Sequence, residues 1–112
     1  MMNANETKLN KLPGRATVDV SSNPKEIIIR SALAGVTEND IEITVAPDRV
    51  TIAGNRSQPA ATAVSTYHHK EIHWGPFSRT IILPEKIDPR GVNATMKNGI
   101  FTIILPKAGK NT

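Results

Sequence analysis

Read for its apolar and polar positions, the chain breaks into short stretches of period two and contains no amphipathic stretch of helical period. IEITV (Ile41–Val45) sets Ile41, Ile43 and Val45 on one face and Glu42 and Thr44 on the other. VTIAG (Val50–Gly54) alternates in the same way. Between them APDR (Ala46–Arg49) carries Pro47-Asp48, which suits a type I turn, so the two stretches predict a hairpin. VNATMK (Val92–Lys97) places Val92, Ala94 and Met96 on one face. Asn98-Gly99 is the best short hairpin turn in the chain, and IFTIIL (Ile100–Leu105) follows it. ATVDV (Ala16–Val20) alternates weakly and predicts an edge strand. EIIIRSAL (Glu26–Leu33) is rich in β-branched residues and short for a helix. Thr37, Glu38 and Asn39 suit one helical turn.

TIILP occurs twice, at Thr80–Pro84 and Thr102–Pro106. The flanks do not match: GPFSR precedes the first copy and KNGIF the second. The copies are therefore two separate strands and not a repeat. Both are too apolar to alternate, which predicts burial on both faces, and a proline without an N–H ends pairing in each. Asn55–Thr66 is small, polar and unpatterned, a long excursion of the kind compact domains keep for a purpose. It leads into YHHKEIHW (Tyr67–Trp74), which has strand-like residues and no clear buried face. Seven to nine short strands with turns at regular intervals predict an all-β, antiparallel, immunoglobulin-like β-sandwich.

Composition narrows the picture further. A chain of 112 residues fits one domain and can bury a core without staples. It has no cysteine, which excludes disulfides and thiolate metal sites and suits a cytoplasmic location. The opening MMNANETKLNKLPGR is polar and reads as a flexible arm, not a secretory signal. No apolar run approaches the roughly 20 residues of a membrane span. The net charge of +4 raises nucleic acid as a partner. The basic residues are scattered and do not alternate with aromatics, so a solvated basic surface is expected, with neither a nucleic-acid nor a membrane partner.

No sequence motif for nucleotide hydrolysis, nucleophilic acyl transfer or zinc proteolysis is present, and no carboxylate pair stands out. An enzyme is not expected, and no cofactor is implied. His68, His69 and His73 lie in one segment. On a strand His68 and His69 point to opposite faces and cannot share one metal without distortion. His69 and His73 can share a face, with Glu71 as the nearest acid. The readings for this segment are a partly exposed strand, a pH-sensitive contact or, least favoured, a metal site.

Three stretches together resemble the α-crystallin domain of small heat-shock proteins, in its bacterial and plant form. GPFSRTIILPEKIDPRGVNATMKNGIFTIILPK (Gly75–Lys107) carries Gly-x-Phe-x-Arg, Leu-Pro, Ala-x-x-x-Asn-Gly and a closing Pro-Lys. ALAGVTENDIEITVAPDRVTIAGNRS (Ala32–Ser57) is similar to the family's lead into its central hairpin, with Ala34 where proline is usual. The long excursion with Tyr67–Ile72 lies where such proteins insert a strand that swaps between subunits. The resemblance implies a flexible arm over 1–15, an α-crystallin domain over 16–107 with 55–74 as its dimerisation loop, and a tail stub over 108–112. It also implies a homodimer by strand exchange, in which Tyr67–Ile72 pairs with the partner's first strand. Ala16, Val18, Val20, Tyr67, His68, His69, Ile72 and Arg79 are then interface residues. It further implies an apolar groove between Ile41–Val45 and Val92–Lys97, formed by Ile41, Ile43, Val45, Val92, Ala94 and Met96. That groove would take client segments or the Ile-x-Ile-like C-terminal tails of full-length relatives. The function implied is an ATP-independent holdase that binds partly unfolded proteins under stress. The alternatives are a co-chaperone sandwich of the p23/CS type, which is monomeric and lacks the inserted strand, and a metal protein using the histidine segment.

Overall fold

The computed structural model describes residues 16–59 and 66–109. The expected arm over 1–15, part of the excursion (60–65) and the last three residues of the expected tail lie outside the described residues. Seven strands are present among them: β1 Val18–Ser22, β2 Glu26–Ala32, β3 Ile41–Ala46, β4 Arg49–Arg56, β5 Gly75–Ile82, β6 Asn93–Lys97 and β7 Ile100–Pro106. Single 3-10 turns cover Glu38–Asp40 and Pro89–Gly91. The strands form a four-stranded sheet in the order β1-β2-β7-β6 and a three-stranded sheet in the order β3-β4-β5. Every pairing is antiparallel. The protein is an all-β sandwich.

Alternation explains the core. In β2, Ile27, Ile29 and Ser31 turn inward, opposite Leu105, Ile103 and Phe101 of β7. Val50 and Ile52 of β4, with Phe77 and Ile81 of β5, cover them from the other sheet. Each fully buried Ile contributes roughly 1.5–3 kcal/mol before ordering costs. Ser31 is the one buried polar side chain among the described residues, and its hydroxyl donates to the Thr17 carbonyl at 2.8 Å. The β6–β7 hairpin turns as its residues require: Asn98 (φ 53) and Gly99 (φ 79) both occupy the left-handed region. At Gly54 a side chain would run into the Asp40 carbonyl and the Phe77 ring, so only glycine lets β4 pass there.

Two expectations are corrected. The TIILP strands are not buried on both faces. Ile81 and Ile103 point into the core, whereas Ile82 is 71% exposed and Ile104 is half-buried. A two-layer sandwich covers each sheet on one side only, so a continuous apolar run still alternates in burial. Pro106 also does not stop β7 short. It is the strand's last residue, opposite Glu26, and its carbonyl accepts from the Asp88 amide at 2.8 Å.

One end of the sandwich is laced by backbone hydrogen bonds. Leu83 donates to Asp48 and Ile87 to Pro47, while Lys107 donates to Lys25 and Ala108 to Lys86. The β3–β4 turn, the β5–β6 connection, the β1–β2 turn and the end of β7 are thereby fixed to one another. Asp88 caps the Pro89–Gly91 turn by accepting from the Arg90 amide.

Candidate functional site

Four strands are edges: β1 and β6 in one sheet, β3 and β5 in the other. Arg79 of β5 donates from Nη1 to the carbonyl of Ala16, just ahead of β1, at 3.0 Å. This tie sets β5 and β1 on the same side of the sandwich. By the strand orders, β3 and β6 then flank the opposite side. An edge strand carries backbone groups that no neighbour satisfies, and another chain can pair with them.

On the first side, Ala16 is buried, Val18 half-buried and Val20 exposed. Val18 and Val20 share a face, yet the three-stranded sheet cannot cover all of the four-stranded one, so β1 is left partly bare. The excursion returns to this body at residues 66–74, which include no strand. A strand over Tyr67–Ile72 is therefore absent from the single chain. A strand exists only with a partner ladder, and no described segment of this chain supplies one. Tyr67 is exposed, with the Lys70 ammonium 4.9 Å from its ring centroid, and Ile72 is 60% exposed. His68 and His69 are exposed as well. Val20, Tyr67 and Ile72 are three of the five large apolar side chains left exposed among the described residues; Ile82 and Ile100 are the others.

The root of the excursion is fixed, which the sequence did not disclose. Arg56, at the end of β4, donates from Nε to the Ala34 carbonyl at 2.8 Å and from Nη1 to the His73 carbonyl at 3.1 Å. Its guanidinium also lies 5.9 Å from the Phe77 ring centroid. The His73 ring bonds through Nε2 to the Pro76 carbonyl at 2.7 Å. Residues 66–72 thus lead up to a clamped position. Arg79, which the family resemblance marks as an interface residue, bonds to Ala16 within the chain and so holds the lead of β1. None of these three arginine bonds has a local sequence signal, because their partners are backbone carbonyls remote in the chain.

On the second side, Ile41, Ile43 and Val45 of β3 alternate with exposed Glu42 and Thr44. Val92, Ala94 and Met96 run along β6 and its approach. All six are half-buried and packed against the core, and none is fully covered. They are the inward faces of two edge strands, reached from the core on one flank and open on the other.

Among the described residues no group of three or more His, Asp or Glu side chains is placed to hold a metal ion. No helix among them is long and apolar enough to cross a membrane.

A seven-stranded antiparallel sandwich, with a long excursion between β4 and β5 and apolar edge strands on one open side, defines an α-crystallin-type domain. The sequence profile of the Hsp20/alpha crystallin family matches residues 19–112. The chain belongs to that family. It is 37% identical over 89 residues to Spore protein SP21 of Stigmatella aurantiaca, covering 80% of this chain and 53% of that protein. It is 36% identical to Small heat shock protein C4 of Rickettsia felis, covering 80% of this chain and 55% of the relative. The chain thus spans about half the length of these relatives. Among solved structures, heat shock protein 16.0 from Schizosaccharomyces pombe superposes with a TM-score of 0.78 at 27% identity. That match covers 87% of this chain and 69% of the yeast chain. The hspA protein of Xanthomonas axonopodis gives a TM-score of 0.76 at 25% identity, covering 87% and 97%.

Proposed function

We propose that the chain is an ATP-independent holdase whose open edges are completed by other polypeptides. One set of contacts makes a dimer and the other captures clients. The observation that carries this reading is the row of six half-buried apolar side chains on β3 and β6. Completing the burial of one such Ile contributes about 1 kcal/mol, from roughly 25 cal/mol per Å². Several anchors, less the entropy of fixing an extended peptide, give weak and reversible capture. Weak capture suits a chaperone that releases clients without nucleotide hydrolysis. Met96 fits the task because a flexible thioether adapts to varied partners. An Ile-x-Ile-like tail of a longer relative presents two branched side chains at strand spacing and suits the same row.

Dimerisation by strand exchange belongs to this reading. In it 55–74 is the dimerisation loop of a domain spanning 16–107. Tyr67–Ile72 becomes a strand on the partner's β1, and the exposed Val20, Tyr67 and Ile72 are covered in the process. His68 and His69 lie within that contact, and Arg79 holds the receiving strand in place through Ala16.

The test is light scattering from a heat-stressed client protein across substoichiometric and equimolar doses. The expected result is dose-dependent suppression, weakened by Ile43→Ser with Met96→Ser while the variant stays folded. No suppression at any dose by folded protein contradicts the holdase reading.

A further inference from the structure

Four of the basic residues that look scattered along the sequence meet in space. Lys25 from the β1–β2 turn, Lys86 and Arg90 from the β5–β6 connection and Lys107 from the end of β7 line a single cleft of about 690 Å³. Asp88 is the only carboxylate in its lining. Glu85 stands beside it, with Oε2 2.9 Å from Lys107 Nζ. Four cations therefore meet two carboxylates, and the cleft has an excess of positive charge.

The four cations are not equivalent. Arg90 is held by Asp88 through two bonds, Nε to Oδ1 and Nη2 to Oδ2, each 3.0 Å. Lys107 is held by Glu85, and its side chain is only 8% exposed. Lys25 and Lys86 are exposed, and neither side chain has an ion-pair partner among the described residues. The paired cations and the backbone lacing make a fixed floor; the unpaired ones are free to bind. Pro47, Pro89 and Pro106 supply stiff apolar walls.

The geometry favours a compact anion over a peptide. The volume lies in the range of small-molecule sites, about 300–1,000 Å³. The amides of Ile87, Asp88, Lys107 and Ala108 are already spent on carbonyls of the protein. An extended peptide draws its affinity from an open ladder, and here it finds none. A multivalent anion needs only the ammonium groups, and lysine binds phosphate oxygens as a mobile point charge.

We infer that this cleft binds a compact anion carrying two or more phosphate groups, either free or as the phosphate chain of a nucleotide. This inference does not rest on client capture.

The experiment is a titration of the full chain with sodium tripolyphosphate, followed by amide chemical shifts. Saturable shifts are expected at Lys25, Lys86, Ile87, Asp88, Arg90 and Lys107. The affinity should weaken by about tenfold between ionic strengths of about 0.01 M and 0.15 M. Lys25→Gln with Lys86→Gln should lose affinity by about tenfold or more. Arg30→Gln with Lys97→Gln removes the same charge from exposed positions of the four-stranded sheet that do not line the cleft and should leave the affinity unchanged. A nucleoside triphosphate that moves the same amides adds nucleotides as a source, and one that does not restricts the site to free oligophosphate. The inference is overturned by an absence of saturation, by equal losses in the two double variants, or by an oligoglutamate of matched charge that binds as tightly.

Discussion

The two TIILP strands give this protein an internal control. The same five residues end β5, where Thr80, Ile81 and Ile82 lie in the edge strand of the three-stranded sheet, and lie wholly within β7, a central strand of the four-stranded one. The first isoleucine of each copy points into the core, but Ile103 is 0% exposed and Ile81 is 7%. The second isoleucine points out in both, half-buried at Ile104 between β2 and β6 and 71% exposed at Ile82. Local sequence decides which face a residue takes. Topology decides how much that face is covered. An edge strand is therefore the place where an apolar side chain remains available to a partner.

The largest effect should come from the inward pair. Ile103→Ala should cost about 4 kcal/mol, at the upper end for a buried Ile, because its neighbours on both sides cannot collapse into the cavity. Ile81→Ala should cost about 2–3 kcal/mol, since an edge strand can relax. Urea midpoints of both variants measure the difference, and equal losses would break the comparison. The outward pair should follow at a lower level. Ile104→Thr should cost about 1 kcal/mol and Ile82→Thr less than about 0.5 kcal/mol. A large stability loss at Ile82 that depends on protein concentration would sharpen the comparison, because it would mean that a second chain covers this face in solution.

The clamps on the excursion make a third comparison, between a fixed root and an unpaired run. Arg56→Ala removes both carbonyl bonds and should destabilise the fold by about 1–3 kcal/mol, the cost of two charged-donor hydrogen bonds on a partly exposed group. Tyr67→Ser with Ile72→Ser should leave the unfolding of the single chain within about 0.5 kcal/mol, since neither side chain is covered there. The same double change should weaken association, read as mass by light scattering.

The smallest effect concerns pH. The Arg90 guanidinium, bonded to Asp88 and close in charge, holds the Asp88 carboxyl below its ordinary value of 3.8. A carboxyl with a lowered folded value contributes stability that is fully present above the unfolded value and is lost as pH falls through the folded one. The difference in urea midpoint between the native protein and Asp88→Asn should therefore be present at neutral pH and shrink below about pH 3.8. The pair is solvent-exposed, so the difference should be slight.

Much of this fold could be read from alternation and turns. Ile41–Val45, Val50–Gly54 and the Asn98-Gly99 hairpin announce themselves because half-covered strands need period two and tight turns need left-handed residues. The six apolar residues of β3 and β6 were also legible as sharing faces. Their half-buried state was not, because it depends on which strands end up as edges. The same gap explains the mistaken burial of TIILP on both faces. Tyr67–Ile72 looks like a strand in composition and is none in the single chain, since pairing is a property of two segments. The hydrogen bonds of Arg56 and the bond of Arg79 to Ala16 were illegible for a related reason. Their partners lie far along the chain, and nothing local marks a guanidinium that will meet a remote carbonyl.

The central claim is that an unpaired run of one chain completes the bare edge of another. Amide hydrogen exchange on the assembled protein tests it most directly, read at Val18–Ser22 and at Tyr67–Ile72. The account predicts that both segments are protected together, and that Tyr67→Ser with Ile72→Ser releases both at once. Free exchange of both segments in a particle of at least twice the single-chain mass would contradict it.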